Sequence, residues 1–213
     1  MPRAKNSPKP NLSEGQIYER ALALIDEHGT EALSMRRLAA TLEVDPMALY
    51  YYIPNKEALL RGVYDLVLEE LALKQDKTKP WQARLKTLAH NVRTLALRHP
   101  KLFPHLMISE TVTEQEFEIL EELYGLLDSA GLSPDSIAHA SCALFTFITG
   151  FAMHESSGTL AQLSPSEERA LESLPPDRYP HMQRLKEAIK KSDPEADFEY
   201  GLELLIRGLE KPA

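Results

Sequence analysis

Three apolar pairs, each spaced five residues apart and straddling a helix-capping residue, pin the first part of this chain. They are Leu12 and Ile17 around Ser13, Leu33 and Leu38 around Ser34, and Val44 and Leu49 around Asp45. The first amides of a helix need a side-chain acceptor, and an apolar residue just before that cap packs onto the first inner turn. Gln16 completes a capping box with Ser13, and Gly29 stops the helix whose face is Ile17, Ala21, Leu24 and Ile25. Pro46 follows Asp45 at the first helical position, where its missing N–H costs nothing. Asn55 caps a fourth helix with Leu59, Val63, Leu66, Val67 and Leu71 facing inward. The segment LSMRRLAATLEVDPMALYYYIPNKEALL, Leu33 to Leu60, therefore reads as a short helix, a tight turn, a second short helix and the start of a long one.

The rest of the chain keeps helical punctuation. After a polar connection at Lys74–Pro80, Trp81 to Arg98 carries Leu85, Leu88, Val92 and Leu95 on one face and stops at Pro100. A short apolar piece follows at 102–107. An acidic amphipathic helix from Thr113 to Ala130 ends at Gly131, and Ser133-Pro134 opens a long, strongly apolar helix through Phe151. Gly158 to Pro180 is rich in Ser, Pro and Glu and reads as a mobile loop, ahead of two last helices at about His181–Lys191 and Pro194–Leu209. No segment has strand period and none repeats, so the expected fold is all-α. The chain has 213 residues, enough for a sizeable core. Neither a bilayer-crossing apolar stretch nor a signal peptide is expected, which points to the cytoplasm. The lone Cys142 excludes an internal disulfide and reads as a small core residue.

The function-bearing feature is Tyr50-Tyr51-Tyr52. A short helix buries one face, and placing Val44, Leu49 and Ile53 inward leaves several of Met47, Ala48, Tyr50, Tyr51 and Tyr52 outward. Two short helices joined by a tight turn can set the second in a DNA major groove. Tyrosine can then meet sugar, thymine methyl or phosphate, while Ala and Met give apolar base contacts. Arg36 and Lys56 stand at helix starts within reach of a phosphate backbone. Charge speaks less clearly: the chain carries −8, and residues 1–60 hold seven cations against eight anions. Only the first ten residues, with Arg3, Lys5 and Lys9, form a cationic run. A catalytic reading has no glycine-rich phosphate loop, nucleophile elbow or paired carboxylates to rest on. His90, His99, His105, His139 and His154, with Glu155, lack the spacing of a metal site on one helical face, and neither a metal nor a cofactor is expected.

Residues 12–73 resemble the DNA-binding domain of the tetracycline-repressor (TetR) family, through the Leu33–Leu60 segment and the leucine-rich helix after it. Trp81-Gln82, His105-Leu106, Thr113-Glu114, Phe117-Glu118, Leu120-Glu121, the run from Phe145 to Gly150 and FEYGLELLIRGLEK are similar to the regulatory domain of tetracycline repressors. The resemblance implies a basic tail at 1–11, a helix-turn-helix domain at 12–54, a connecting helix at 55–73 and a regulatory, dimerising domain at 74–213. Operator contacts would fall on Ser34, Arg36, Pro46, Met47, Ala48, Tyr50, Tyr51, Tyr52 and Lys56, with Ser34 and Lys56 on phosphates and Met47 and Ala48 on bases. A small-molecule effector would sit among Leu88, Val92, Phe103, His105, Met107, Leu123, Phe147, Phe151 and His154. His105 matches the histidine that holds drug-chelated magnesium, but Leu88, Val92, Leu123 and His154 replace Asn, Phe, Gln and Glu. Those losses argue against magnesium–tetracycline as the effector. The resemblance also implies a homodimer built on the helices around Ser136–Met153 and Phe198–Leu209, with Leu202, Leu205, Ile206 and Leu209 on one face. The function implied is a repressor released from a palindromic DNA operator by a small molecule. The alternatives are an activator, or an all-helical dimeric ligand carrier without DNA binding.

Overall fold

The computed structural model describes residues 12–71, 76–160 and 163–210, and all regular structure among them is helical. The cationic tail at 1–11 and the last residues of the connecting helix, 72–73, lie outside the described residues. The elements are α1 Glu14–His28, α2 Met35–Thr41, α3 Pro46–Tyr52, α4 Lys56–Glu69, α5 Trp81–Arg98, α6 Phe103–Ile108, α7 Glu114–Ser129, α8 Pro134–Ser156, α9 Pro165–Glu172, α10 Pro180–Lys190 and α11 Pro194–Leu209. A single 3-10 turn, Thr30–Ala32, separates α1 from α2.

The helix starts fall where the caps place them. Ser13 closes a capping box with Gln16, Ser34 Oγ accepts from the Arg37 amide, Asp45 from Met47 and Asn55 from Ala58. Ile17, Leu38 and Leu49, the inner halves of the three apolar pairs, are fully buried. Helices α1–α4 close one core, and a Cβ on Gly62 of α4 would run into the Tyr18 ring of α1, so glycine permits their close crossing. That core continues into Leu95, Ala96, Leu102, Phe103 and Ala152 from the C-terminal half. A second core gathers Leu85 and Leu88 of α5, Leu123, Leu126 and Leu127 of α7, Leu144 and Ile148 of α8, and Phe198, Leu202 and Ile206 of α11. Glycine also sets the α8–α11 approach, where Gly201 lies under the Phe147 ring.

Several expectations need correction. The loop expected from Gly158 to Pro180 contains α9, whose Ser164–Glu167 capping box holds its first turn and whose Leu171 is buried. Pro165 and Pro180 stand at the first positions of the helices Pro165–Glu172 and Pro180–Lys190, while Pro175 and Pro176 lie in the non-helical stretch between them. The apolar piece at 102–107 is α6. By length and composition α8 is able to cross a bilayer, with 23 residues and a mean hydropathy of 1.5. It instead packs against α5, α7 and α11, although only 22% of its most apolar window is buried within the chain. Cys142 on α8 is exposed, not core.

Candidate nucleic-acid interface

Helix α3 is held by one buried anchor, Leu49, with Ile53 sealing its end, and this leaves Pro46, Met47, Tyr50 and Tyr51 free to face out. Met47 is 73% exposed, Tyr50 45% and Tyr51 86%. Pro46 is also exposed, and Ala48 is half-buried. Tyr52 differs from its two neighbours. It is half-buried against the first core and meets Tyr51 edge to face at 5.2 Å between ring centroids, so it props Tyr51 outward.

Around α3 the capping residues double as surface groups. Ser34 and Arg36 at the start of α2 and Lys56 at the start of α4 are all exposed. No ion pair joins Arg36, Arg37 or Lys56 to another described residue, so their charges are available to an external anion. Of the nine residues expected to contact DNA, Ser34, Arg36, Pro46, Met47, Tyr50, Tyr51 and Lys56 are exposed, whereas Ala48 and Tyr52 are half-buried.

Behind this unit lies a cavity of about 130 Å³ between α4, α5, α6, α7 and α8. Of the residues expected around an effector, Leu88, Val92, Phe103, Met107 and Leu123 line it. His105, Phe147, Phe151 and His154 do not. Phe147 stacks on Phe198 at 5.7 Å and Phe151 lies 5.2 Å from the same ring, so both belong to the α8–α11 seam. His154 is exposed and bonds Thr159 Oγ1 at 3.0 Å; His105 is half-buried on α6 away from the cavity wall. Motif matching missed Leu68 and Leu71 at the end of α4, Leu95 of α5, Leu106 of α6, Ser109, Glu116, Ile119 and Leu120 of α7, and Phe145, Ile148 and Thr149 of α8. Helical periodicity marks most of these as inward, but it does not separate a cavity wall from solid core.

Two polar clusters tie helices together. Arg93, buried on α5, donates to both oxygens of Glu155 at 2.6 and 2.7 Å and also to Glu195, with its guanidinium 5.1 Å from the Phe198 ring. Hydrogen bonding to Glu155 raises its pKa more than burial lowers it, and Glu195 adds to the rise. Glu155 is therefore held by Arg93 through a two-point ion pair. His90, Glu195 and Glu199 bring ligand atoms within 4.8 Å of one another, but His90 pairs with Glu199 and Glu195 with Arg93. The second cluster joins the two cores. His99 Nδ1 lies 2.9 Å from Asp26 of α1 and its Nε2 lies 3.5 Å from Glu70 beyond α4, while Arg98 also pairs with Glu70. Lys101 Nζ donates to the Glu27 carbonyl at 2.6 Å.

The architecture has close counterparts. Residues 17–63 match the family profile described as bacterial regulatory proteins, tetR family, and residues 74–212 match the tetracyclin repressor-like C-terminal domain. The chain is 29% identical to the HTH-type transcriptional repressor DrrR1 of Streptomyces coeruleorubidus, over 98% of this chain and 81% of that protein. It is 29% identical to the class D tetracycline repressor protein of Escherichia coli, over 93% and 89%. The crystal structure of the Streptomyces coelicolor TetR family protein ActR in complex with actinorhodin superposes with a TM-score of 0.81 at 30% identity, over 94% of this chain and 96% of that one. With both halves matched, the chain belongs to the tetR family of bacterial regulatory proteins and is a DNA-binding transcriptional regulator with a helix-turn-helix head and a helical C-terminal domain.

Proposed function

We propose that this chain is a cytoplasmic, homodimeric repressor whose grip on a palindromic operator is released when a small molecule enters the cavity behind α4. The observation that carries this reading is the dual role of α4. Leu68 in its last turn and Leu71 just beyond it line the cavity, while Lys56 starts the helix four residues after the end of α3. A ligand that favours one position of the Leu68–Leu71 end would swing α4 and change the separation of two α3 helices in a dimer. It can do so only through unequal affinity for the two states. The ligand-bound ActR structure supports the effector reading, and the DrrR1 and tetracycline-repressor relatives support repression.

In the DNA complex, α3 would lie in the major groove with Met47 and Ala48 on base edges, and Pro46, Tyr50 and Tyr51 on the groove wall. Ser34, Arg36 and Lys56 would hold phosphates, with Tyr52 chiefly supporting Tyr51. Dimerisation would use the exposed faces of α8 and α11, setting half-sites about one helical turn, roughly 34–36 Å, or slightly more apart. The test is electrophoretic retardation of duplexes from the DNA flanking the gene. Arg36→Ala should weaken all binding and lower the slope of log K against log salt by about one. Ala48→Gln should instead change which sequence is preferred. Equal losses on every sequence from both substitutions would remove the division of roles.

A further inference from the structure

The cavity has an almost wholly apolar wall, and the exceptions decide what it would accept. Three polar side chains reach it: Ser109, Thr149 and Glu116. Two are already engaged. Ser109 Oγ accepts from the Thr111 amide at 3.1 Å, while Thr149 Oγ1 donates to the Phe145 carbonyl at 2.7 Å. Glu116 uses only its backbone amide, which donates to Thr113 Oγ1; no hydrogen bond or ion pair joins its carboxylate to another described residue. It is also the only charged side chain on the wall among the described residues. The adjacent cleft on α7 is lined by Glu114, Glu118, Glu121 and Glu122, so the mouth lies in a negative field, relieved by Lys77 and by the Arg84–Glu122 pair.

An anionic ligand approaching this mouth is repelled. A neutral apolar ligand covers the carboxylate without pairing it, at a desolvation cost. A cation pairs it and gains from the surrounding field. Resting on the effector-pocket reading above, we infer that the effector is a lipophilic amine whose apolar body fills the cavity and whose ammonium pairs with Glu116 at the rim. The size of the buried part follows from the volume. About 130 Å³ compares with the roughly 150 Å³ apolar cavity known to take benzene, so one ring is buried and any larger portion stays outside.

Three probes with one ring and different ends separate the possibilities: 2-phenylethylamine, 2-phenylethanol and 3-phenylpropanoate, titrated calorimetrically into the full chain. The amine should bind tightest and the propanoate weakest. Glu116 is exposed, so Glu116→Gln should fold normally, weaken the amine about fivefold and leave the alcohol unchanged. Added salt should weaken the amine alone. Equal affinity for the three probes, or a Glu116→Gln variant indistinguishable from the parent, overturns the cation assignment while the pocket stands. If none binds, either to the parent or to Leu123→Ala with its enlarged cavity, the pocket reading falls with it.

Discussion

Glu43 is the only non-glycine among the described residues with a positive φ, 56°, and it forms the turn between α2 and α3. The left-handed conformation lets the Val44 amide reach the Ala39 carbonyl at 3.1 Å and turns the chain sharply enough to set α3 against α2. An L-residue held there is strained by about 1–2 kcal/mol, part of which glycine recovers and part of which it loses as unfolded-state entropy. Glu43→Gly should therefore raise stability by about 0.5–1 kcal/mol, seen as a higher urea midpoint at unchanged slope. A lower midpoint would show that the glutamate side chain contributes something its exposure does not suggest. Nothing in the residue pattern announces this strain, because turns are read from Gly, Asn and Pro. The tyrosine run was legible as an outward surface, but not that Tyr52 would be half absorbed by the core. One stripe of apolar residues looks the same whether it meets its own chain or a partner. Thus Leu202 and Ile206, expected on a dimer face, are buried within the subunit beside Phe198.

At the scale of elements, local chemistry fixed what it could reach. Ser13, Ser34, Asp45 and Asn55 mark four helix starts because each satisfies amides within three residues, a purely local event. The contacts between elements are another matter. The cluster of Asp26, Glu70, Arg98 and His99 joins α1, the end of α4 and the end of α5, with separations in sequence that no local signal spans. It clamps the same end of α4 that lines the cavity. Glu70→Gln should loosen that clamp, so the effector displaces DNA less completely at saturation while its own affinity changes little. Measuring operator release against effector concentration checks this: a changed midpoint with full release would place Glu70 in ligand binding rather than in coupling.

At the scale of the molecule, the surface left bare is as informative as the core. The long apolar α8 is only partly covered within the chain, and Phe145, Tyr200 and Leu204 are half exposed or more. Leu204 makes the simplest probe. Leu204→Glu should leave the subunit folded but shift it from dimer to monomer in sedimentation, with loss of operator retardation. A variant that stays dimeric would move the interface elsewhere. The net charge of −8 masks Arg36, Arg37 and Lys56 beside α3, which pair with no described residue, since phosphates respond to local potential. The division of the cavity wall carries a last implication for how such a regulator changes over time. Leu68 and Leu71 serve the DNA-reading head as well as the pocket, whereas Leu120 and Leu123 come from α7 alone. Substitutions on the second group can retune which molecule is sensed without disturbing the head, so a lineage is free to acquire a new signal while keeping its genes.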